Sequence, residues 1–167
     1  MDALKLKVFP QIEERLGFDS VNYFLLIIFV CSGFTKVAVP IRKVAYGLWP
    51  TLIASKLLFT LIGVWEIAGI VLYHQKMFVP AYILLFMFMG GVFSSITVIN
   101  PKLFGAAVCA MPTTIFLLYT ADKHSKDHPD INAVSSKAFL LIAAGYVIGF
   151  ILHITSPKEK KDAKGTN

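Results

Sequence analysis

The chain has 167 residues, 56% of them hydrophobic and only 16% charged, and its mean hydropathy is +0.69. Soluble domains carry about 25% charged residues and rarely such long uncharged runs, so the composition excludes an ordinary soluble globule and reads as an integral, multi-pass membrane protein. The net charge is +6, and the tail bears Lys158, Lys160, Lys161 and Lys164, which suit an anionic lipid surface; no folded basic domain exists to support a nucleic-acid role.

Residues 1–20 form an N-terminal polar or interfacial arm. Asp2, Glu13, Glu14 and Asp19 interrupt it, and no isolated apolar core or small-residue cleavage site follows, so it does not read as a secretory signal. Phe9, Ile12, Leu16 and Phe18 suit an amphipathic segment lying in the interface; the alternative is a solvated arm. Five apolar segments follow, at 21–39, 52–73, 77–99, 103–120 and 138–155. About 20 apolar residues cross the hydrocarbon core, with about 17 as the lower edge, and the last two segments lie near that edge.

Pro40 ends the first segment, and Trp49-Pro50 opens the second, with the indole at interface level and the proline in the first turn. His74-Gln75-Lys76 and Asn100-Pro101-Lys102 are too short for anything but hairpins. Residues 121–137 read as a polar loop, 138–155 as an additional transmembrane helix and 156–167 as a basic tail. The predicted fold class is all-α, a transmembrane helical bundle with a four-helix core over 21–120 and a fifth helix at its C-terminal end. Lys and Arg number seven on one face and nine on the other, a small bias that places the C-terminus inside. The sequence does not select between the endoplasmic reticulum, another organelle and the plasma membrane.

Glu66 is the only carboxylate between Asp19 and Asp122, and it sits within an apolar segment. An ionisable group at membrane depth costs about 2.5–3.5 kcal/mol on insertion scales, so it requires a partner or a use. Gly63 and Gly69 stand one turn to either side and leave a notch where another helix or a ligand can approach. Matched by depth, the hydrogen-bond partners for Glu66 are Thr113, Thr114 and the backbone loosened by Pro112. Lys56 and Lys36 lie nearer the opposite face, and Lys36 reaches Glu66 only if helix tilt closes a gap of about 10 Å. A protonated Glu66 making neutral hydrogen bonds is the simplest state, because burial disfavours the charged form. Its role is either structural or that of a ligand or proton site.

Gly145 and Gly149 form a GxxxG pair, and Gly90-Gly91 sits within the third segment; both sets permit close helix packing, either inside the chain or across a homo-oligomer face. His124 and His128 are spaced i, i+4, as a metal on one helical face would need, but Pro129 and the polar surroundings favour a solvated loop, and no metal site is assigned. Cys31 and Cys109 fall at similar depth and read as buried packing thiols rather than a redox pair. No phosphate loop, dinucleotide fingerprint or nucleophile triad is present, so no catalytic residue is assigned.

Ser32-Gly33-Phe34-Thr35-Lys36, then Ile62-Gly63-Val64-Trp65-Glu66-Ile67-Ala68-Gly69-Ile70, then a third segment ending just before Asn100-Pro101, together resemble the DoxX-like membrane proteins, over about residues 21–120. The resemblance implies a four-helix membrane core, with Glu66, Lys36, Gly33, Gly63 and Gly69 as its functional candidates. It also implies one of two roles, membrane redox chemistry as in bacterial relatives or receptor assembly as in the NACHO-type chaperone branch. Ser94-Ser95 stands where some relatives carry a histidine, and the fifth segment is extra to the family core. The function expected first is a non-enzymatic assembly factor or accessory subunit of a larger membrane complex, with the lipid bilayer and other membrane proteins as partners and no cofactor. The alternative is a quinone-handling redox subunit in which Glu66 accepts a proton.

Five crossings place the two termini on opposite sides of the membrane. Tags at each end of the chain in sealed vesicles are expected to show unequal protease protection; equal protection would mean an even number of crossings.

Overall fold

The computed structural model describes residues 9–38, 56–99 and 104–155. They are helical apart from short turns, with no strand among them. In chain order the elements are α1 (Phe9–Leu16), α2 (Phe18–Val37), α3 (Lys56–His74), α4 (Phe78–Ser94), α5 (Phe104–Asp127), α6 (Pro129–Ser136) and α7 (Ala138–Thr155), and a π-helical turn, Ser95–Ile99, extends α4. The expectations placed on Pro40, Trp49, Pro50, the turn at Asn100–Lys102 and the basic tail lie outside the described residues.

Among the described residues two helices are long and apolar enough to cross a membrane, Phe18–Val37 and Phe78–Thr97. A third crossing arises if Pro129–Ser136 and Ala138–Leu152, bent by 54° against each other, count as one. The second expected crossing is shorter among the described residues, where its apolar helix runs Thr60–His74.

The N-terminal segment folds as an amphipathic helix. Phe9 is buried and meets the Tyr119 ring edge-on at 5.7 Å, and Ile12 packs beside it, while Leu16 stays half-exposed. Gly17 separates α1 from α2 with φ 71°, a left-handed turn that glycine enters without a Cβ penalty.

The hairpin expected at His74–Lys76 forms, and its hydrogen bonds show how α3 stops. The Lys76 N–H donates to the Tyr73 carbonyl at 3.0 Å and the Met77 N–H to the Leu72 carbonyl at 2.9 Å, the paired bonds of a Schellman cap. Lys76 itself takes the left-handed position, φ 61°, that glycine usually fills.

Residues 121–137, expected as a loop, are helical instead. The helix of α5 runs on to Asp127, and Pro129 starts α6 rather than ending a segment, because a proline in the first turn lacks only an N–H that has no partner there anyway. Ile131 and Val134 give α6 a buried face beneath a polar one. The loop reading weighed net polarity over periodicity.

Helices α2 to α5 pack around Leu25, Phe29, Tyr82, Leu85, Phe86 and Leu117, all at most 5% exposed. Consecutive helices run antiparallel, with Lys36 beside Gly63 and Asn22 beside Tyr73 across the α2–α3 pair. α7 lies against α4 in the same direction, with Met87 opposite Gly145 and Gly91 opposite Gly149. This contact is intimate. A Cβ on Gly145 would lie 1.9 Å from the Met87 carbonyl oxygen, and one on Gly90 would lie 2.0 Å from that of Ile142. The GxxxG pair is thus used inside the chain, where it brings two backbones into contact.

Gly145→Ala is therefore expected to destabilise the protein by about 1–3 kcal/mol through overpacking against backbone. Gly91→Ala, whose added Cβ would meet nothing closer than 3.9 Å, is expected to be near neutral. Thermal unfolding of both variants in detergent checks the contrast; equal effects would mean that the α4–α7 contact is looser than described.

Candidate functional site

The site begins with a backbone contact. Gly33 of α2 and Gly63 of α3 face each other at the helix crossing, where a Cβ on Gly63 would lie 2.9 Å from the Gly33 carbonyl oxygen and 2.6 Å from the Lys36 Cβ. Close approach places Lys36 level with Gly63, one helical turn from Glu66, or about 5 Å along the axis. The lysine stem covers that distance. Its Nζ lies 2.6 Å from Glu66 Oε2, with the carboxyl side chain 1% exposed and the lysine 15%.

The remaining ammonium protons are also placed. Lys36 Nζ donates to the Ser32 carbonyl oxygen at 3.2 Å and to the Ser32 hydroxyl oxygen, so all three donors have acceptors. The Ser32 side chain also lies within hydrogen-bonding reach of the Glu66 carboxylate, which makes the serine a bridge between the two ions. The Phe88 ring covers the ammonium at 5.3 Å from its centroid, a cation–π contact that screens the pair from the side of α4. Gly69, one turn below Glu66, admits Leu85 so closely that a Cβ would lie 2.9 Å from Leu85 Cδ2. The Trp65 indole N–H donates to the Leu84 carbonyl at 3.2 Å, tying α3 to α4 at the same level.

Glu66, Lys36, Gly33, Gly63 and Gly69 are thus gathered in one place. Lys36 and Ser32 hold the carboxyl, and the expectation is corrected for Thr114, which directs its hydroxyl to the Ala110 carbonyl of its own helix at 2.8 Å. Thr113 is buried, one residue after Pro112 in α5. Matching depth by residue count from the loops failed because it treated the helices as level cylinders and ignored the reach of a lysine stem. Ser32 was missed as a site residue; its place one turn before Lys36 was the available signal. Cys31 is corrected too. It is free and exposed on the outer face of α2 rather than buried, and the Cys109 side chain lies outside the described residues.

A second polar centre lies toward the α3–α4 turn. The Tyr73 hydroxyl donates to Asn22 Oδ1 at 2.5 Å, and the Tyr82 hydroxyl lies 2.7 Å from His124 Nδ1. The His124 ring stacks on Phe78 at 4.3 Å between centroids and is met edge-on by Phe18 at 5.2 Å. Burial, and then the neighbouring His128, push the His124 imidazole below its ordinary range, with Asp127 opposing. This histidine is half-buried at the end of α5 and packed by aromatic rings, not free in a solvated loop. Among the described residues no group of three His, Cys, Asp or Glu side chains is placed to hold a metal.

Comparison of the chain with protein-family models, with curated proteins and with solved structures finds no match.

Removing one member of a buried ion pair strands the other charge and costs about 3–5 kcal/mol, whereas an apolar replacement of both is often near neutral. Lys36→Met and Glu66→Leu are each expected to destabilise strongly, and the double variant to recover most of the loss. Unfolding midpoints of the three variants in one detergent check this; simply additive losses would show that the two side chains are not coupled.

Proposed function

We propose that the chain is an integral, multi-pass membrane protein with a DoxX-like core. It acts without chemistry of its own, as an assembly factor or accessory subunit of a larger membrane complex. The observation that supports this reading most directly is the closed state of the Lys36–Glu66–Ser32 cluster. The intramembrane carboxylate is bonded to a cation of the adjacent helix, and the glycines beside it are filled by helix contact. The residues that carry the DoxX-like resemblance are the same ones that fasten α2 to α3, which fits a role for them in shaping a paired helical unit.

That unit turns Tyr23, Ile27 and Phe34 of α2 and Leu61 and Val64 of α3 outward. An apolar, aromatic outer face on two fastened helices suits contact with the transmembrane helices of another protein, where packing rather than the hydrophobic effect holds helices together.

Photo-crosslinking residues at Ile27 and Val64 in native membranes are expected to capture the same membrane protein, and one at Ile154 on α7 is not. The redox alternative predicts a different result: a quinone co-purifying in equal amount, lost in Glu66→Gln while abundance stays normal. That outcome would replace the present reading.

A further inference from the structure

His124 is unusual among the polar groups of the chain because side chains from several separate segments close on it. Phe18 comes from the start of α2, Tyr73 from the end of α3, and Phe78 and Tyr82 from α4, with ring centroids between 4.3 and 6.0 Å from the imidazole. The titratable or charged groups facing it are Tyr73 of α3, Tyr82 of α4, and Asp127 and His128 of its own segment; Asp19 follows Phe18 on α2 but is exposed. Phe78 is flanked by two histidines, since the His128 ring centroid lies 5.2 Å from it.

We propose that His124 is a pH-sensitive latch: on taking a proton from the aqueous phase at this end of the bundle, it releases the last turn of α5 from the turn joining α3 and α4. In the neutral tautomer that carries its hydrogen on Nε2, the imidazole accepts the Tyr82 O–H at Nδ1, across the 2.7 Å between them. A proton added at Nδ1 makes both nitrogens donors, so the Tyr82 hydroxyl has to turn round and accept. Its own hydrogen then needs another acceptor, and Tyr73 and Thr120 are within reach. Both already direct their hydrogens elsewhere, Tyr73 to Asn22 and Thr120 to the Leu117 carbonyl at 3.0 Å, and so have free lone pairs.

The hydrogen bonds can therefore reverse, but the new charge stays among aromatic side chains and next to His128. Release of the ring toward water relieves both. Behind Tyr73 lies a small cavity that Asn22 and Thr120 also line, continuing between Phe29, Ile70 and Leu85.

The direction of the pH effect follows from the depressed basicity of the half-buried ring, whose ordinary value is 6.5. A group easier to protonate when released stabilises the closed form fully above its ordinary value, and that stability is lost as the pH falls through the folded value.

The test is hydrogen exchange of the full chain in lipid nanodiscs, corrected for the intrinsic effect of pH, between about pH 7.5 and about pH 5. In the wild type, opening of the segments 9–18 and 74–78 is expected to rise at the lower pH, by up to about tenfold. His124→Phe, which keeps an aromatic ring and cannot take a proton, is expected to abolish the rise, and His128→Gln to retain it. No rise in the wild type, or the same rise in His124→Phe, would overturn the proposal. Should His124→Phe fail to fold, imidazole nitrogen shifts of the wild type decide: His124 must titrate together with the exchange, and titration of another histidine in its place would overturn the latch equally.

Discussion

A carboxyl enclosed by apolar helices has to find its counter-charge within the bundle, because the medium around it offers none. Glu66 finds it in Lys36, and much of the arrangement around the pair depends on that union. It requires α2 and α3 to cross with their backbones nearly touching, which only glycines at 33 and 63 permit. With the crossing fixed, Gly69 and Trp65 on either side of the acid set the seat of α4, through Leu85 and the Leu84 carbonyl. Phe88 is then placed over the ammonium. A single electrostatic demand thus fixes the relation of three helices.

The interior holds two polar centres of opposite character. At the level of Glu66 a full charge pair is closed by a serine and a ring. Two turns along α3, about 10 Å away, Tyr73, Tyr82, Asn22 and His124 bring together groups that can each donate and accept. Leu25, Phe29, Ile70 and Leu85 stand between them. The charge pair is stiff because removing either ion strands the other. The second centre is adaptable because hydroxyls and imidazole can exchange donor and acceptor roles without moving far.

Much of this was legible in the sequence. Glu66 announced itself by isolation, and Gly63 and Gly69 announced that something would approach it closely. The hairpin at His74–Lys76 followed from its length alone, and the amphipathic spacing of Phe9 and Ile12 described α1. What was not legible depends on geometry between helices. The partner of Glu66 was misjudged because a lysine's reach and the tightness of a glycine crossing do not register in residue counts. His124 was read as solvated because its neighbours in sequence are polar, while its neighbours in space, Phe18, Tyr73, Phe78 and Tyr82, come from distant positions. The helix over 121–127 was hidden for the same reason, since its buried face is completed by other segments.

The parallel contact of α4 and α7 has a consequence for how the molecule is built. The groove that Gly90 leaves on α4 is filled by a closely approaching backbone, and that backbone belongs to the last described helix. During synthesis α2, α3 and α4 can each pair with the helix made just before, but α4 must wait, with its carbonyls and glycines uncovered on one side, until α5 and α6 have been completed. Over that interval the open groove can accept a small-residue helix from elsewhere. The contact that covers it is thus made late, by a helix that follows α5 and α6 in the chain.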